Sequence, residues 1–195
     1  MWDERYRSDG YAYGTEPNDF LRAVAPRLPV GDTLCLGEGE GRNAVFLAGL
    51  GHRVTAVDGS LVGLRKAQRL ADEHGVAMRT IHSDFSDYVL EPAGWDCIVS
   101  IFVHLPAPLR RRLHQQAVAG LRPGGVFVLE AYTPRQLELG TGGPPSVEMM
   151  MDLDLLSADL AGLRLLHAAE LDREVHEGRY HNGTGAVVQI LATRG

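Results

Sequence analysis

Three glycines alternate with acidic residues in the stretch Gly37-Glu38-Gly39-Glu40-Gly41. A short apolar run precedes this stretch, and a helical pattern follows it. Glycine has no Cβ, so it can adopt a positive φ and let a ligand approach the backbone closely. The first N–H groups of a helix have no partner within the helix, and they can face such a ligand. The pattern predicts a strand, a turn and a helix that bind a nucleotide-like ligand, although an ordinary glycine-rich turn has the same composition.

Carboxylates follow the next two predicted strands. Asp58 ends one apolar run and precedes Gly59 and Ser60, and Asp84 with Phe85 ends the next run. Ligands of open α/β sheets bind beyond the carboxyl ends of the strands. Asp58 is therefore placed to accept hydrogen bonds from ribose hydroxyls, and the Asp84 carboxylate and the Phe85 ring could contact a purine. Helix capping and turn formation are the alternative roles for these polar residues.

One histidine leaves the fourth predicted strand on the side where a substrate would bind. His104 is the best candidate for a general base, although a lone histidine is more often structural. Cys35 and Cys97 lie in apolar strand-like runs, so we expect buried free thiols and no disulfide. The histidines and cysteines show no ligand-like spacing, and we expect no metal site.

Strand-like and helical patterns alternate through the first 131 residues, which predicts a parallel sheet with helices on both faces. The tail differs, because two strand-like runs, 163–175 and 186–193, are separated only by a polar loop at 177–185. These runs predict an antiparallel hairpin. The sequence from Gly39 to Ala44 also fits a dinucleotide fingerprint, so a nicotinamide site stays open. The five alternating units and the hairpin count against that interpretation.

Composition bounds the remaining possibilities. The chain has 195 residues, 45% of them hydrophobic, and a formal net charge of −6, which fits one globular domain. The only basic tract, Arg110–Arg112, is interpreted as a solvated helix face, so we expect no nucleic-acid partner. The N-terminus lacks an apolar signal core, and no apolar run is long enough to span a bilayer. We expect a cytoplasmic protein, a monomer or a homodimer, with no membrane partner.

Five motifs occur in the order and at the spacing seen in class I S-adenosylmethionine-dependent methyltransferases: Leu36–Asn43, Val57–Ser60, Ser83–Phe85, Trp95–Ser100 and Leu121–Gly125. The chain resembles that family over about residues 30 to 195, and it resembles most the small-molecule branch with the tellurite-resistance and ubiquinone-biosynthesis types. The resemblance implies an α/β fold with a Rossmann-like, mostly parallel seven-strand sheet, an antiparallel C-terminal hairpin and helices on both faces. It implies one methyltransferase domain over residues 1–195, with a helical lid segment at 1–30 and a cofactor-binding core at 31–195.

The resemblance also implies S-adenosyl-L-methionine as the cofactor and a set of residues that hold it. Tyr13 joins this set through the similarity of its surroundings to the same branch. The implied cofactor-binding residues are Gly37, Glu38, Gly39, Gly41, Asn43, Asp58, Gly59, Ser60, Asp84, Phe85, Ser100 and Tyr13. Cys35 stands where the family usually has an acidic residue. Either Glu38 supplies the missing carboxylate near the cofactor's amino group, or water mediates the contacts there.

The expected reaction is methyl transfer from the sulfonium to a small-molecule acceptor by in-line displacement, which depends mainly on alignment and exclusion of water. A base is needed only where the acceptor must lose a proton, and His104 is the candidate. Tyr6, Tyr11 and Tyr13 are expected either to form a lid or to pack the N-terminal helix. Two alternatives remain at this point: a nicotinamide-dependent reductase, and a non-catalytic protein that binds S-adenosylmethionine or S-adenosylhomocysteine.

Overall fold

Seven strands form one sheet in the computed structural model, which describes residues 2–195. The strands are β1 (Asp32–Leu36), β2 (Arg53–Asp58), β3 (Arg79–His82), β4 (Trp95–Ile101), β5 (Leu121–Tyr132), β6 (Leu163–Glu177) and β7 (His181–Arg194). The helices are α1 (Trp2–Tyr6), α2 (Asp19–Val24), α3 (Arg42–Gly49), α4 (Leu61–Glu73), α5 (Ala107–Gly120), α6 (Gln136–Leu139) and α7 (Leu153–Asp159). Short 3-10 turns occupy Ala25–Arg27 and Val147–Met149.

The strand order is β3-β2-β1-β4-β5-β7-β6. The first five strands run parallel, and β7 lies antiparallel between β5 and β6. The predicted fold class is therefore confirmed. The strand order reverses beside β1, so the chain leaves β1 and β4 in opposite directions along the sheet, and ligands of such sheets bind at this point.

The C-terminal hairpin is longer than predicted. The polar stretch 177–185 was expected to be a loop, but Glu177 pairs with His181 across a turn of three residues, 178–180. The expectation was wrong because backbone pairing does not require apolar side chains. Polar residues at this end of the hairpin keep the strand geometry and carry their side chains toward the N-terminal segment.

The core alternates across the two faces of the sheet, as period-two side-chain geometry requires. Leu34, Leu36 and Ile98 pack on one face with α5 and α7. Cys35 and Cys97 pack on the other face with α2, α3 and α4. Both cysteines are buried and free, which confirms that expectation.

Arg110 corrects the interpretation of the basic tract as a solvated face. Arg111 is exposed, but Arg110 is buried and its Nε donates to Asp159 Oδ2 at 3.0 Å. His114 lies one turn further along α5 and its Nδ1 is 3.1 Å from the same oxygen. The pairing joins α5 to α7, and no local sequence pattern predicts it. Among residues 2–195, no helix is both long and apolar enough to cross a membrane.

Candidate functional site

The glycine loop between β1 and α3 has the conformation that its sequence predicts. Gly37, Gly39 and Gly41 adopt φ values of 59°, 60° and 95°. A Cβ on Gly41 would stand 2.7 Å from the Cα of Ala67, so α4 packs directly on the loop. A Cβ on Gly37 would stand 2.7 Å from Val103 Cγ2, which places the chain leaving β4 beside the loop. Both the backbone conformation and the close approach therefore require glycine.

Asp58 is the last residue of β2, and its carboxylate binds the backbone of the glycine loop. Its Oδ2 accepts from the N–H of Gly39 at 2.8 Å, and its Oδ1 accepts from the N–H of Ser60 at 2.7 Å. Burial raises the pKa of this carboxyl, although both N–H groups favour the charged form. A carboxylate has about four lone-pair positions, so capacity remains for hydroxyl donors. Ser60 caps α4 by accepting from Gly63 N–H at 3.0 Å.

Glu38 turns back onto the start of α3. Its Oε1 accepts from the N–H groups of Asn43 and Ala44 at 2.9 and 2.8 Å, which satisfies two donors of the helix N-terminus. Burial raises the pKa of Glu38 to about 7, against the effect of these two donors. Cys35, in the usual acidic position, is fully buried in the core and does not replace that carboxylate. One oxygen of the Glu38 carboxylate is therefore used to hold the start of α3.

The N-terminal segment lies over the glycine loop. The hydroxyl of Tyr6 is 2.6 Å from the position of a Cβ on Gly39. Asp3 Oδ1 accepts from Ser60 Oγ at 2.5 Å, and the buried Lys66 Nζ donates to Glu40 Oε1 at 2.8 Å. Lys66 also donates to the carbonyls of residues 8 and 10, so one cation ties the segment to the loop.

The tip of the C-terminal hairpin meets the same segment. The N–H of Arg179 donates to the carbonyl of Ala12 at 2.9 Å. Gly178 has a φ of 68°, and a Cβ there would stand 2.5 Å from the Cα of Tyr13. The hairpin tip, the N-terminal segment and the glycine loop thus enclose one region at the carboxyl edge of the sheet.

Four aromatic rings, here called the aromatic cluster, line this region: Tyr13, Phe102, Tyr132 and His181. The His181 ring lies 4.7 Å from Tyr13, 4.8 Å from Phe102 and 5.3 Å from Tyr132, between ring centroids. Phe102 follows β4 directly and has a φ of 54°, an uncommon conformation for a bulky residue. Such strained residues concentrate at functional sites. Of this cluster, the sequence singled out only Tyr13.

His104 also contacts Tyr132, with its ring stacked at 5.8 Å between centroids and at 14° between planes. Its Nδ1 is 3.0 Å from the carbonyl of Met149, and its Nε2 accepts from Tyr132 N–H at 3.4 Å. Burial lowers the pKa of His104 to about 4. Both ring nitrogens are thus engaged by the backbone, and action as a base would require one of these contacts to break. Its role as the base stays a prediction.

An ionic network borders the aromatic cluster, which it meets where Glu177 lies beside His181. Arg42 Nη2 is 2.5 Å from Glu177 Oε2, and Arg173 Nη2 is 2.5 Å from Glu130 Oε1. The side-chain amide of Asn18 donates to both carboxylates, at 2.8 and 2.9 Å. Burial opposes ionisation of Glu177, but His181, Arg42 and Arg173 hold its pKa well below the usual range. The network joins α3, β5, β6 and the residue that caps α2.

The remaining sequence-predicted residues lie around this region with different surroundings. Asn43 Oδ1 accepts from the N–H of Asn18 at 2.9 Å, and Ser100 is buried near the end of β4. Asp84 is exposed, and its Oδ1 accepts from Ser86 N–H at 2.7 Å, as in an Asx turn. The Phe85 side chain belongs to the core cluster on the α5 face. Gly59 is exposed, and its carbonyl is 3.1 Å from the His82 ring.

The donor set fits an S-adenosylmethionine cofactor. The loop keeps Gly37 and Gly39 at positive φ beyond the carboxyl end of β1, and Asp58 offers spare acceptor capacity at the end of β2. When bound, that cofactor supplies an activated methyl group on a sulfonium. Within residues 2–195, no group of three or more potential metal ligands lies together.

Comparison with known proteins finds one family that the glycine loop and the first strands match. Residues 33–125, just under half of the chain, match the family described as "Methyltransferase domain". The match runs from β1 to the bulged start of β5 and includes the glycine loop, Asp58, Asp84 and Ser100. No curated protein matches the chain in sequence.

Solved structures of the same fold cover nearly the whole chain. A protein from a study of the conversion of a disulfide bond into a thioacetal group during echinomycin biosynthesis has 19% identity and a TM-score of 0.79, covering 99% of this chain and 90% of its own. TehB from Haemophilus influenzae has 18% identity and a TM-score of 0.75, with 100% of this chain covered and 66% of that one. An S-adenosylmethionine-dependent methyltransferase from Clostridium acetobutylicum has 16% identity and a TM-score of 0.70, with 100% and 96% covered.

At these low identities, the structural similarity supports the fold alone. The domain match supports the methyltransferase chemistry. Neither gives support to the nicotinamide alternative, since the matched domain is a methyltransferase and β7 lies antiparallel between β5 and β6. The domain match and the shared fold together support a class I S-adenosylmethionine-dependent methyltransferase, an enzyme with S-adenosyl-L-methionine as its cofactor.

Proposed function

We propose that this enzyme transfers the methyl group to a small-molecule acceptor bound at the aromatic cluster. The observation that carries the proposal is the enclosure of that cluster. Tyr13 comes from the N-terminal segment, Phe102 from the end of β4 and His181 from the hairpin, so three parts of the chain surround it. A polymer would need an open groove at the same edge. The net charge of −6 also gives a nucleic-acid strand no general electrostatic attraction.

The proposed roles follow from the surroundings of each residue. The backbone at Gly37, Gly39 and Gly41 receives the methionine portion, and Asp58 holds the ribose. Asp84 and Phe85 are proposed to flank the adenine, and Ser100 to face the cofactor from β4. Alignment of donor and acceptor in a dry site is the main source of rate, worth up to about 7–11 kcal/mol when orientation is good.

The N-terminal segment is proposed to act as a lid, because Tyr6 covers Gly39 and Lys66 ties the segment to Glu40. A lid of this kind excludes water from the reacting atoms. We extend the proposal to a single domain, with residues 1–30 as the covering part and 31–195 as the core, and to a cytoplasmic location.

The first test measures where the label from methyl-tritiated S-adenosylmethionine goes in a cell extract. The proposal expects label in the small-molecule fraction and none in nucleic acid or protein. Binding of S-adenosylhomocysteine, measured by calorimetry, accompanies the assay. Tight binding with label confined to macromolecules, or with no transfer at all, would contradict the small-molecule assignment.

Asp58→Asn tests the cofactor side of the proposal. It keeps the shape of the side chain but removes the charge, and charge-assisted hydrogen bonds contribute about 1.5–3 kcal/mol. We expect affinity for S-adenosylhomocysteine to fall by roughly 10- to 100-fold. Asp72→Asn is the matched control, since Asp72 is exposed near the far end of α4. Equal affinities for the two variants would remove Asp58 from the cofactor site.

A further inference from the structure

His181 has a buried ring nitrogen, Nδ1, that accepts and donates no hydrogen bond within the part of the chain that the structure describes. The residue as a whole is 9% exposed. An unsatisfied buried polar group costs about 1–3 kcal/mol, so natural proteins rarely keep one without a use. The ring is nevertheless fixed in place by three aromatic neighbours, Tyr13, Phe102 and Tyr132.

His104 and His181 differ in what their nitrogens can do, although both lie against Tyr132. The two nitrogens of His104 are held by backbone groups of Met149 and Tyr132. The imidazole of His181 has no such contacts, so it can exchange a proton without breaking the structure around it.

An ionised carboxylate stands behind His181. Glu177 Oε2 lies 3.8 Å from Nδ1, too far for a hydrogen bond but close enough to stabilise charge on the ring. Glu177 is itself held ionised beside Arg42 and Arg173. Such a carboxylate favours the proton on Nδ1, leaving the other ring nitrogen as an acceptor and stabilising the imidazolium that forms.

The other charged groups around the ring set its titration. Arg42 from α3 and Arg5 from α1 oppose protonation, and Glu177 favours it. The uncharged neighbours Tyr13 and Tyr132 have raised pKa values, mainly through burial, and stay neutral. Burial outweighs Glu177 and lowers the pKa of His181, so the ring is neutral and able to accept a proton near pH 7.

We propose that His181 accepts the proton released by the methyl acceptor, and hence that the acceptor binds as a neutral X–H group, where X is oxygen, sulfur or nitrogen. This inference rests on the proposed function. A lone pair of X forms the new bond to the methyl carbon, and the sulfur keeps the electron pair of the bond that breaks. The X–H proton passes to the ring nitrogen that does not face Glu177. The products are the methylated acceptor, S-adenosylhomocysteine and a proton released to solvent.

The first experiment needs no acceptor. Histidine ring resonances are followed by NMR from pH 4 to 9, with and without S-adenosylhomocysteine, and His181→Gln assigns the signal. We expect His181 to titrate below 6.5 and to shift when S-adenosylhomocysteine binds. His176, exposed on the same hairpin, should keep its signal. A His181 signal that ignores the bound compound would overturn the inference and leave the proposed function intact, whereas failure of the compound to bind would count against both.

The second experiment measures methyl transfer to probe acceptors, namely catechol, 2-mercaptoethanol, benzylamine and selenite. We expect turnover of X–H probes, with kcat in His181→Gln lowered by about 10²- to 10⁴-fold and KM little changed. The wild-type rate should fall at acid pH as His181 becomes protonated, and this limb should vanish in the variant. His176→Gln is the matched control. Turnover of selenite alone, or an unchanged pH profile in His181→Gln, would refute the inference. If no probe is turned over, the NMR result decides it.

Discussion

The proposed cofactor side and the proposed acceptor side of the site are built from contacts of very different range. On the cofactor side, Asp58 holds Gly39, 19 residues away, and Glu38 holds the N–H groups five and six residues ahead. On the acceptor side, Arg42 reaches Glu177 across 135 residues, and Asn18 reaches it across 159. The cofactor side is thus a local motif formed by a strand, a turn and a helix, and the same motif can occur in any sheet of this kind. The acceptor side exists only when the C-terminal hairpin folds back over the N-terminal segment.

Glu177→Gln should give the largest effect and break the acceptor side. Removal of this charge leaves the buried Arg42 and the partly buried Arg173 with one carboxylate fewer. Breaking a buried ion pair destabilises proteins by about 3–5 kcal/mol. We expect the free energy of unfolding in urea, followed by circular dichroism, to fall by that amount.

Glu174→Gln is the control for this variant, because Glu174 is exposed on the same strand. The pH dependence should agree with the assignment. The folded-state pKa of Glu177 is depressed, so its contribution is present above the unfolded pKa, near 4.5, and is lost as the pH falls through the folded value. Equal loss of stability in both variants would show that the network does not depend on Glu177.

Gly178→Ala tests the contact between the hairpin tip and the N-terminal segment. Gly178 and Gly124 both have positive φ, 68° and 79°, so alanine is strained at either position by about 1–2 kcal/mol. Only at Gly178 does the new Cβ meet another segment, 2.5 Å from Tyr13 Cα. At Gly124 nothing lies within 4 Å. We therefore expect Gly178→Ala to cost about 1–3 kcal/mol more than Gly124→Ala.

The readout is unfolding in urea together with limited proteolysis of the N-terminal segment. Gly178→Ala should speed cleavage within residues 2–18, and Gly124→Ala should not. Indistinguishable stabilities would mean that the hairpin tip yields easily, and the enclosure of the aromatic cluster would then be weak.

Glu38 gives the smallest effect and sharpens the cofactor side. Its folded pKa of about 7 exceeds the unfolded value, so the folded state binds more protons between these values. Stability from this group is present below pH 4.5 and is lost as the pH rises through 7, by on the order of 1–3 kcal/mol. Glu38→Gln keeps an acceptor for the two N–H groups and should lack this decline. Urea unfolding midpoints at pH 5 and pH 8, measured for the wild type and for Glu38→Gln, test this prediction. An equal change of midpoint in the two proteins would indicate that the Glu38 carboxyl is exposed to water.

The conformation of the glycine loop could be predicted because its signals are short. Gly37, Gly39 and Gly41 needed positive φ, and a strand–turn–helix pattern showed where. Asp58 followed from its position after the second strand. Phe85 was harder to assign from the sequence, since nothing local indicates whether an aromatic ring after a strand enters a ligand site or the core.

The surroundings of the two histidines at the proposed acceptor side could not be predicted from the sequence. His104 was singled out because it follows β4, but its nitrogens are taken by Met149 and Tyr132, residues 45 and 28 positions away. His181 was passed over because it lay in a stretch expected to be a loop. The pairing of Glu177 with His181 converts that stretch into a strand end aimed at Tyr13 and Phe102.

The sequence by itself determined the alternating strands and helices, the glycine turn and the carboxylate after β2. These depend on periodicity, backbone conformation and spacing, which act over a few residues. The tertiary structure alone decided which histidine is free, which carboxylates are paired with Arg42 and Arg173, and how the N-terminal segment covers the loop. Those outcomes depend on burial and on neighbours more than a hundred residues apart, and only the closed chain brings such groups together.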